Sequence, residues 1–111
     1  MIKAQIKYII HDPFISKARK MLVIEQFKNE ELAKLQTKQN YTDILAFFTL
    51  ILENMKNKGV IRGDDIQIMA IELSLPINVL INLCDREVER EGEVMELVDR
   101  HLRTFFNIYG N

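Results

Sequence analysis

Two long predicted helices meet in residues 57–70, whose sequence is NKGVIRGDDIQIMA. Gly59 suits the left-handed conformation that ends many helices, and Val60 follows it as the apolar residue that such an end favours. Asp64 suits the N-cap of the next helix, with Gln67 three residues later in the arrangement of a capping box. The stretch therefore predicts the end of one helix, a short link and the start of another.

The helix after this joint, predicted from Asp65 to about Cys84, is apolar on two sides. One side carries Ile66, Met69, Ala70, Leu73, Ile77, Leu80 and Cys84, and the other carries Ile68, Ile71, Leu75, Val79 and Leu83. Such a helix has to bury both sides, and a domain of 111 residues has little interior for that. We therefore predict that a second copy of the chain covers the outer side. Pro76 removes a backbone donor and predicts a kink.

The chain before the joint also has helical apolar spacing, with few residues that favour turns: the whole sequence has four glycines and two prolines. A first helix is predicted from Met1 to Ile10. Asp12 as N-cap and Pro13 in the first turn predict the start of a second helix. The face of that helix predicted to point inward consists of Phe14, Ile15, Ala18, Met21 and Leu22.

A third helix is predicted to start at Asn29, and its apolar stripe is interrupted by the polar residues 36–40. Whether the helix bends there or continues stays open. Residues 85–92 are predicted to be a charged, solvated loop. The last helix carries a broad stripe made of Val94, Leu97, Val98, His101, Leu102, Phe105 and Tyr109. Together these patterns predict an all-α, antiparallel bundle of about five helices, with one domain spanning residues 1–111.

The composition limits the compartment in which the protein is expected and the partners that it is expected to bind. Fifteen basic and sixteen acidic residues give a formal charge of -1, which provides no electrostatic reason to bind nucleic acid or an anionic membrane. The longest apolar run, from Ile44 to Leu52, is about half of a membrane span. The N-terminus lacks the features of a signal peptide, and the single Cys84 favours a reducing compartment. We expect a cytoplasmic protein that does not contact membranes.

Few residues suggest a catalytic or metal-binding role. His11 and Asp12 are adjacent, but no further ligand follows at a spacing that a metal site requires. Cys84 is interpreted as a small buried hydrophobe, because no base is placed beside it by the sequence. His101 is interpreted as a packed or interface residue. We predict no catalytic residue, no metal site and no cofactor, and we do not expect an enzyme.

Several segments, taken in order, resemble the C-terminal regulatory domain of TetR/AcrR-type repressors. They are Asp12-Pro13-Phe14, Lys17 to Leu22, Glu25-Gln26-Phe27, the joint from Gly59 to Ala70, Leu75-Pro76-Ile77, Cys84-Asp85-Arg86, and His101-Leu102 with Phe105 and Tyr109. The resemblance covers nearly the whole chain and depends on order and spacing, since no single segment is diagnostic.

The resemblance implies an all-helical domain with a small-molecule pocket, whose last two long helices form a four-helix interface with a second subunit. For the pocket, we predict a small apolar or amphipathic effector held by Met21, Tyr41, Phe48 and Leu52, with Gln39 as a polar contact. For the homodimer interface, we predict Leu73, Ile77, Leu80, Leu97, His101, Leu102 and Phe105.

The DNA-binding helix-turn-helix of that family would need three helices before Asp12, and the sequence offers no room for them. We therefore expect no specific DNA binding by this chain alone, and DNA only through an N-terminal domain outside it. A truncated form and a natural short form both stay open. The alternative function is a stand-alone helical interaction module that pairs with related regulators without a ligand.

Overall fold

The computed structural model of the protein describes residues 2–111, and over that range the chain forms five helices and no strand. The predicted all-α class is confirmed. The helical elements are α1 (Ile2–His11), α2 (Pro13–Glu25), α3 (Glu30–Thr37), a π-helical segment (Lys38–Thr42), α4 (Asp43–Asn57), α5 (Ile66–Arg86), a 3-10 turn (Val88–Arg90) and α6 (Glu91–Tyr109). We count α3, the π-helical segment and α4 as one helix because they follow one another without a break.

The starts of α2 and α3 are capped as the sequence predicts. The Asp12 carboxylate accepts a hydrogen bond of 2.9 Å from the backbone N–H of Ile15, and Pro13 occupies the first turn, where a missing N–H costs nothing. The Asn29 side chain accepts a hydrogen bond of 2.8 Å from the N–H of Leu32. Both bonds satisfy donors that a helix start leaves unpaired.

The predicted glycine end of α4 is also confirmed. Gly59 has a φ of 74°, in the left-handed region where a side chain is disfavoured. The N–H of Val60 donates to the carbonyl of Met55 over 2.9 Å, and the N–H of Gly59 donates to the carbonyl of Lys56 over 3.0 Å. This is the pair of bonds that closes a helix with a Schellman motif.

The start of α5 requires a correction by one residue. The cap is Asp65, whose carboxylate accepts a hydrogen bond of 3.2 Å from the N–H of Ile68, and the prediction of Asp64 for this role is wrong. Both aspartates suit an N-cap, so the choice depends on where the link after Gly63 turns into the helix. The predicted capping box between Asp64 and Gln67 is therefore wrong as well.

The core surrounds α5, which packs against α4, α6 and α1. Its buried apolar members include residues from all four of these helices: Ile6, Leu45, Phe48, Leu52, Met69, Ala70, Leu73, Ile77, Ile81, Cys84, Val94, Val98 and Phe105. The Cα atoms extend over 44 × 32 × 17 Å. The shortest dimension corresponds to about two packed helices, since helix axes lie about 8–10 Å apart.

The predicted inward face of α2 is largely wrong. Phe14 is 82% exposed, Ala18 and Met21 are also exposed, and Ile15 is half-buried. Leu22 is buried as predicted, and Arg19 is buried with it. The helix lies at the edge of the domain and contacts only α1 and α3 closely, so much of its apolar face stays uncovered in this chain.

Arg19 is buried because it forms an ion pair with Asp85 at the end of α5. Its Nε and Nη2 donate to the two carboxylate oxygens of Asp85 over 2.8 and 2.6 Å. Its Nη1 donates to the backbone carbonyl of Ile9 over 3.0 Å. This two-pronged pairing suits the planar guanidinium, and it connects α1, α2 and α5 at one point.

The open question at residues 36–40 is answered by a π-helical segment. The helix does not end at Asn40; it widens over residues 38–42 and continues as α4. Before the segment the helix packs on α2, and after it the helix packs on α5. Asn40 donates to the Gln36 side chain over 2.7 Å, so two of the polar residues here bond to each other.

The link between α5 and α6 is shorter than the predicted loop of residues 85–92. α5 continues to Arg86, and α6 begins at Glu91. Arg90 in the 3-10 turn pairs with Glu87 and Glu93 at 3.4 and 2.6 Å. These charges therefore stabilise a tight corner.

The end of α6 is attached to the joint that follows α4. Ile61 and Gly110 form an isolated antiparallel bridge. The N–H of Arg62 donates to the carbonyl of Tyr109 over 2.8 Å, and the N–H of Asn111 donates to the carbonyl of Val60 over 3.0 Å. The α5–α6 hairpin is thus fastened at its open end.

The apolar run from Ile44 to Leu52 is not the segment that comes closest to a membrane span; that segment is α5. This helix is long and apolar enough to cross a membrane by length and composition alone, with one-third of its most apolar stretch buried in the domain. A core helix of a soluble domain meets the same criterion. Glu72, Ser74, Asn78 and Asn82 interrupt its apolar surface.

Candidate ligand cavity

A nearly apolar cavity lies between α1 and α4, with α5 as its floor. Its volume is about 240 Å³. Its walls are Ile2, Gln5, Ile6 and Ile9 from α1, Asp43, Ile44, Phe47 and Phe48 from α4, and Ser74, Ile77, Asn78 and Ile81 from α5. The cavity exists because α1 and α4 both pack on α5 with a gap between them.

A second depression of about 360 Å³ continues the first toward α2. The two share Ile9, Ile44, Asn78 and Ile81 as walls, and the second also has Phe14, Ile15, Ala18, Arg19, Gln39 and Asn40. The first cavity is therefore the apolar end of a longer groove, whose other end is more polar.

The floor carries one polar atom that no protein group satisfies. Ser74 is 1% exposed, and its hydroxyl has no hydrogen-bond partner among the described residues. Helical serines often bond to the carbonyl four residues earlier, but Ser74 does not make that bond. Asn78, one turn further along α5, is half-buried in the same wall.

Polar groups at the mouth of the cavity carry little charge. Asp43 and Gln5 are exposed at its edge. The Asp43 carboxylate lies 2.9 Å from the ammonium of Lys38. Among the residues that the structure describes, those lining this cavity include no lysine, arginine or histidine.

The residues predicted for a ligand are not brought together by the fold. Phe48 lines the first cavity and Gln39 lines the second. Met21 is exposed between α2 and α3. Tyr41 is also exposed and lines neither of these two cavities, and Leu52 is fully buried. The prediction took the apolar stripe of one helix as a pocket wall, whereas most of that stripe is core.

Most of the residues that the prediction missed lie on α1 and α5, and the others are Asp43, Ile44 and Phe47 of α4. Ile6 and Ile77 supply apolar walls, and Ser74 and Asn78 supply polar groups. The sequence contains a signal for the last two: they are four residues apart, and hence on one face, within an otherwise apolar helix.

The predicted dimer residues other than His101 divide into three groups by burial. Leu73, Ile77 and Phe105 are buried within this chain and are not available to a second copy. Leu80 and Leu102 are half-buried against the core, while Leu97 is exposed. Other exposed apolar residues on α5 and α6 are Ile68, Val79 and Ile108.

His101 bonds within the chain. Its Nε2 lies 2.9 Å from the backbone carbonyl oxygen of Leu73, three residues before Pro76. Pro76 lacks an N–H and so leaves the carbonyl of Glu72, four residues earlier, without its helical donor. The imidazole bonds to the next carbonyl along the chain and fastens α6 to α5 there. Helix α5 runs from Ile66 through Pro76 to Arg86.

The other side chains considered as possible sites, Cys84 and His11, are accounted for by burial or by an ion pair. Cys84 is buried, and burial, followed by the nearby Glu91 and Asp85 carboxylates, raises the pKa of its thiol. The reactive thiolate is therefore disfavoured. His11 Nε2 lies 2.8 Å from Glu91. Within residues 2–111, no three His, Cys, Asp or Glu side chains lie close enough to hold a metal ion.

Comparisons with protein-family models, with curated proteins and with solved structures gave no match. The resemblance to TetR/AcrR-type regulators therefore stays a prediction from the sequence. The cavity between α1 and α4 provides the structural basis for a functional hypothesis.

Proposed function

We propose that this chain is a ligand-sensing and dimerisation domain of a TetR/AcrR-like transcriptional regulator, and that its effector is a small apolar or amphipathic molecule. The observation that carries the proposal is the cavity between α1 and α4. It combines apolar walls with the buried, unpartnered hydroxyl of Ser74. Apolar walls with one or two placed polar groups are typical of small-molecule sites.

Helix α5 connects the cavity with the surface that we assign to dimerisation. Ser74, Ile77 and Ile81 face the cavity, while Val79 on the same helix is 63% exposed. A ligand that favours one separation of α1 and α4 would shift the position of α5 and hence of its outer side. In a full regulator, that shift would change the spacing of attached DNA-binding heads.

Thermal unfolding in the presence of neutral apolar compounds tests the ligand. A compound at one hundred times its Kd stabilises the folded state by about 2.7 kcal/mol, which raises the Tm measurably. Ile44→Trp should fill the cavity and abolish the shift. Leu50→Trp, on the exposed side of the same helix, is the matched control and should keep it. Absence of any shift across a varied set of compounds would contradict ligand sensing.

Light scattering tests the dimer. An obligate interface would bury on the order of 2,000 Å², and Val79→Glu should yield folded monomers because Val79 contributes little to the core. Phe27→Glu, at a site that is even more exposed but lies in the turn between α2 and α3, should leave the dimer intact. A monomeric wild-type chain at micromolar concentration would refute dimerisation.

DNA binding by the chain alone is expected to be weak and independent of sequence, since its charge is near neutral. Fluorescence anisotropy with duplex DNA at moderate salt measures this. Tight binding to a palindromic site would contradict the division of roles proposed here.

The exposed aromatic residues of α2 and of the turn after it favour a second candidate, an interaction module without a ligand. Phe14 is 82% and Phe27 is 88% exposed, and Ile24 between them is also exposed. Exposed apolar patches mark protein contacts when they are contiguous. Loss of self-association in Phe27→Glu but not in Val79→Glu, together with no ligand shift, would favour this module.

A further inference from the structure

The hydroxyl of Ser74 distinguishes this cavity from an ordinary packing gap. A packing gap in a core is lined by apolar groups and stays empty. Here Ser74 is one of the residues that line the gap, and its buried hydroxyl has no protein partner. Leaving such a group unpaired is unfavourable, so whatever occupies the cavity and bonds to Ser74 gains from the arrangement.

Water is a poor occupant for this position. A buried water usually makes about three hydrogen bonds. Near the floor, the cavity offers Ser74 and, one turn away, the half-buried Asn78, and the other floor residues are Ile77 and Ile81. A molecule with one polar group and an apolar body matches this distribution better.

The size of the cavity limits the apolar body. An engineered cavity of about 150 Å³ binds benzene, and this one measures about 240 Å³. A bicyclic aromatic ring system is therefore of suitable size. Ile6, Phe48 and Ile77 contribute the apolar walls around it.

The charges at the mouth of the cavity limit which polar group a ligand can carry. Asp43 is the one charged residue among the described residues that line the cavity. At the mouth, however, the Asp43 carboxylate is paired with the Lys38 ammonium over 2.9 Å. A carboxylate ligand would therefore lose its hydration and would have to displace Asp43 to gain that cationic partner.

We propose that the cavity selects a neutral amphipath of bicyclic size, whose hydroxyl or carbonyl group hydrogen-bonds to Ser74 Oγ, and that it rejects the corresponding carboxylate. The inference rests on the proposed ligand-sensing function and adds the chemical class of the ligand and the residue that recognises it.

The test compares naphthalene, 2-naphthol and 2-naphthoate as probes of one size and three polarities, with Kd values measured on the full chain by fluorescence or calorimetry. In the wild type, 2-naphthol should bind about tenfold more tightly than naphthalene, the factor expected for one well-placed hydrogen bond. 2-Naphthoate should bind most weakly of the three.

Ser74→Ala is the decisive variant. It should abolish the preference for 2-naphthol over naphthalene while leaving naphthalene binding unchanged. Its Tm without ligand should not fall, because the substitution removes an unpaired polar group and little volume. Ser16→Ala, a half-buried serine outside this cavity, should keep the preference. Asp43→Asn should strengthen 2-naphthoate binding severalfold.

The outcomes separate the two hypotheses. If none of the three probes binds, the inference and the ligand-sensing function on which it rests both fail for molecules of this class. If they bind but 2-naphthol has no advantage, or keeps its advantage in Ser74→Ala, the ligand site stands and recognition by Ser74 is wrong. Tightest binding of 2-naphthoate would overturn the selection against carboxylates.

Discussion

The helices α2 and α3 and the set formed by α1, α4, α5 and α6 have similar sequence patterns but different packing. The second set contains nearly all of the buried core. α2 buries Leu22 and Arg19, and α3, all of which the structure describes, buries no residue. We refer to these regions as the open pair (α2 and α3) and the packed set.

The difference shows that amphipathic periodicity predicts a helix but not its partner. In the packed set, α5 is surrounded by three helices, so the apolar face of each meets another. The open pair lies at one edge of a domain that is about two helices thick, so its apolar residues meet few others. Phe14 and Phe27 are exposed for this reason.

The largest expected contrast is between two phenylalanines. Phe105 is 4% exposed, whereas Phe27 is 88% exposed. Phe105→Ala should lower the free energy of unfolding by about 3–5 kcal/mol because it leaves a cavity. Phe27→Ala should change it by less than about 0.5 kcal/mol. Urea denaturation of both variants measures this. Equal losses would mean that the open pair is covered in solution.

The ion pair between Arg19 and Asp85 fastens the open pair to the packed set. Asp85→Ala leaves the guanidinium buried with the carbonyl of Ile9 as its remaining partner, and we expect a loss of about 3 kcal/mol. The double variant Arg19→Met with Asp85→Leu should recover most of that loss, because no unpaired charge remains. Denaturant midpoints of the single and double variants provide the test. A double variant no more stable than Asp85→Ala would show that the pair itself, and not its burial, stabilises the contact.

The helix caps should separate local from global stability. Asn29→Ala and Asp65→Ala each remove a side-chain bond to a helix start, worth about 1 kcal/mol. In the packed set, the loss at Asp65 should lower the global denaturation midpoint. In the open pair, the loss at Asn29 should instead speed hydrogen exchange in α3 alone. A fall in the global midpoint for Asn29→Ala would show that α3 unfolds together with the packed set.

The smallest expected effect is a pH dependence within the packed set. Burial raises the pKa of the Cys84 thiol in the folded state. Stability from this group is complete below the ordinary thiol pKa of about 8.5 and falls as the pH rises toward the folded value, because the unfolded chain releases its proton first. The slope for one group is at most about 1.4 kcal/mol per pH unit. Denaturation of wild type and Cys84→Ala between about pH 7 and pH 9 should show a shallower fall for the variant. Parallel curves would contradict the effect.

The fold class was predictable because helix ends are specified by the residues at those ends. Asp12, Asn29 and Gly59 each specify a boundary through their own side chain or conformation. The assignment of Asp64 was wrong by one residue because two adjacent aspartates satisfy the same rule. The π-helical segment has no comparable local signal.

The candidate site was not predictable to the same degree, since it depends on where helices distant in sequence meet. The stripe with Phe48 and Leu52 was correctly taken as apolar, but nothing in it tells core from cavity. The predicted inward face of α2 did not include Arg19, because its partner, Asp85, lies 66 residues away. Ser74 and Asn78 were visible as polar residues, but their meaning depended on the gap between α1 and α4.

The π-helical segment has a consequence for the phase of the helix that contains it. In an α-helix each residue turns the chain by about 100°, and a π-helical turn inserts about one extra residue. The apolar stripe before residues 38–42 and the stripe after them are therefore out of phase by roughly that angle. Leu32 and Leu35 turn toward Leu22 of α2, while Leu45 and Phe48 turn toward the core around α5. One extra residue thus lets a single continuous helix direct its apolar face toward α2 before the π-helical segment and toward α5 after it, so that it packs on two helices on different sides.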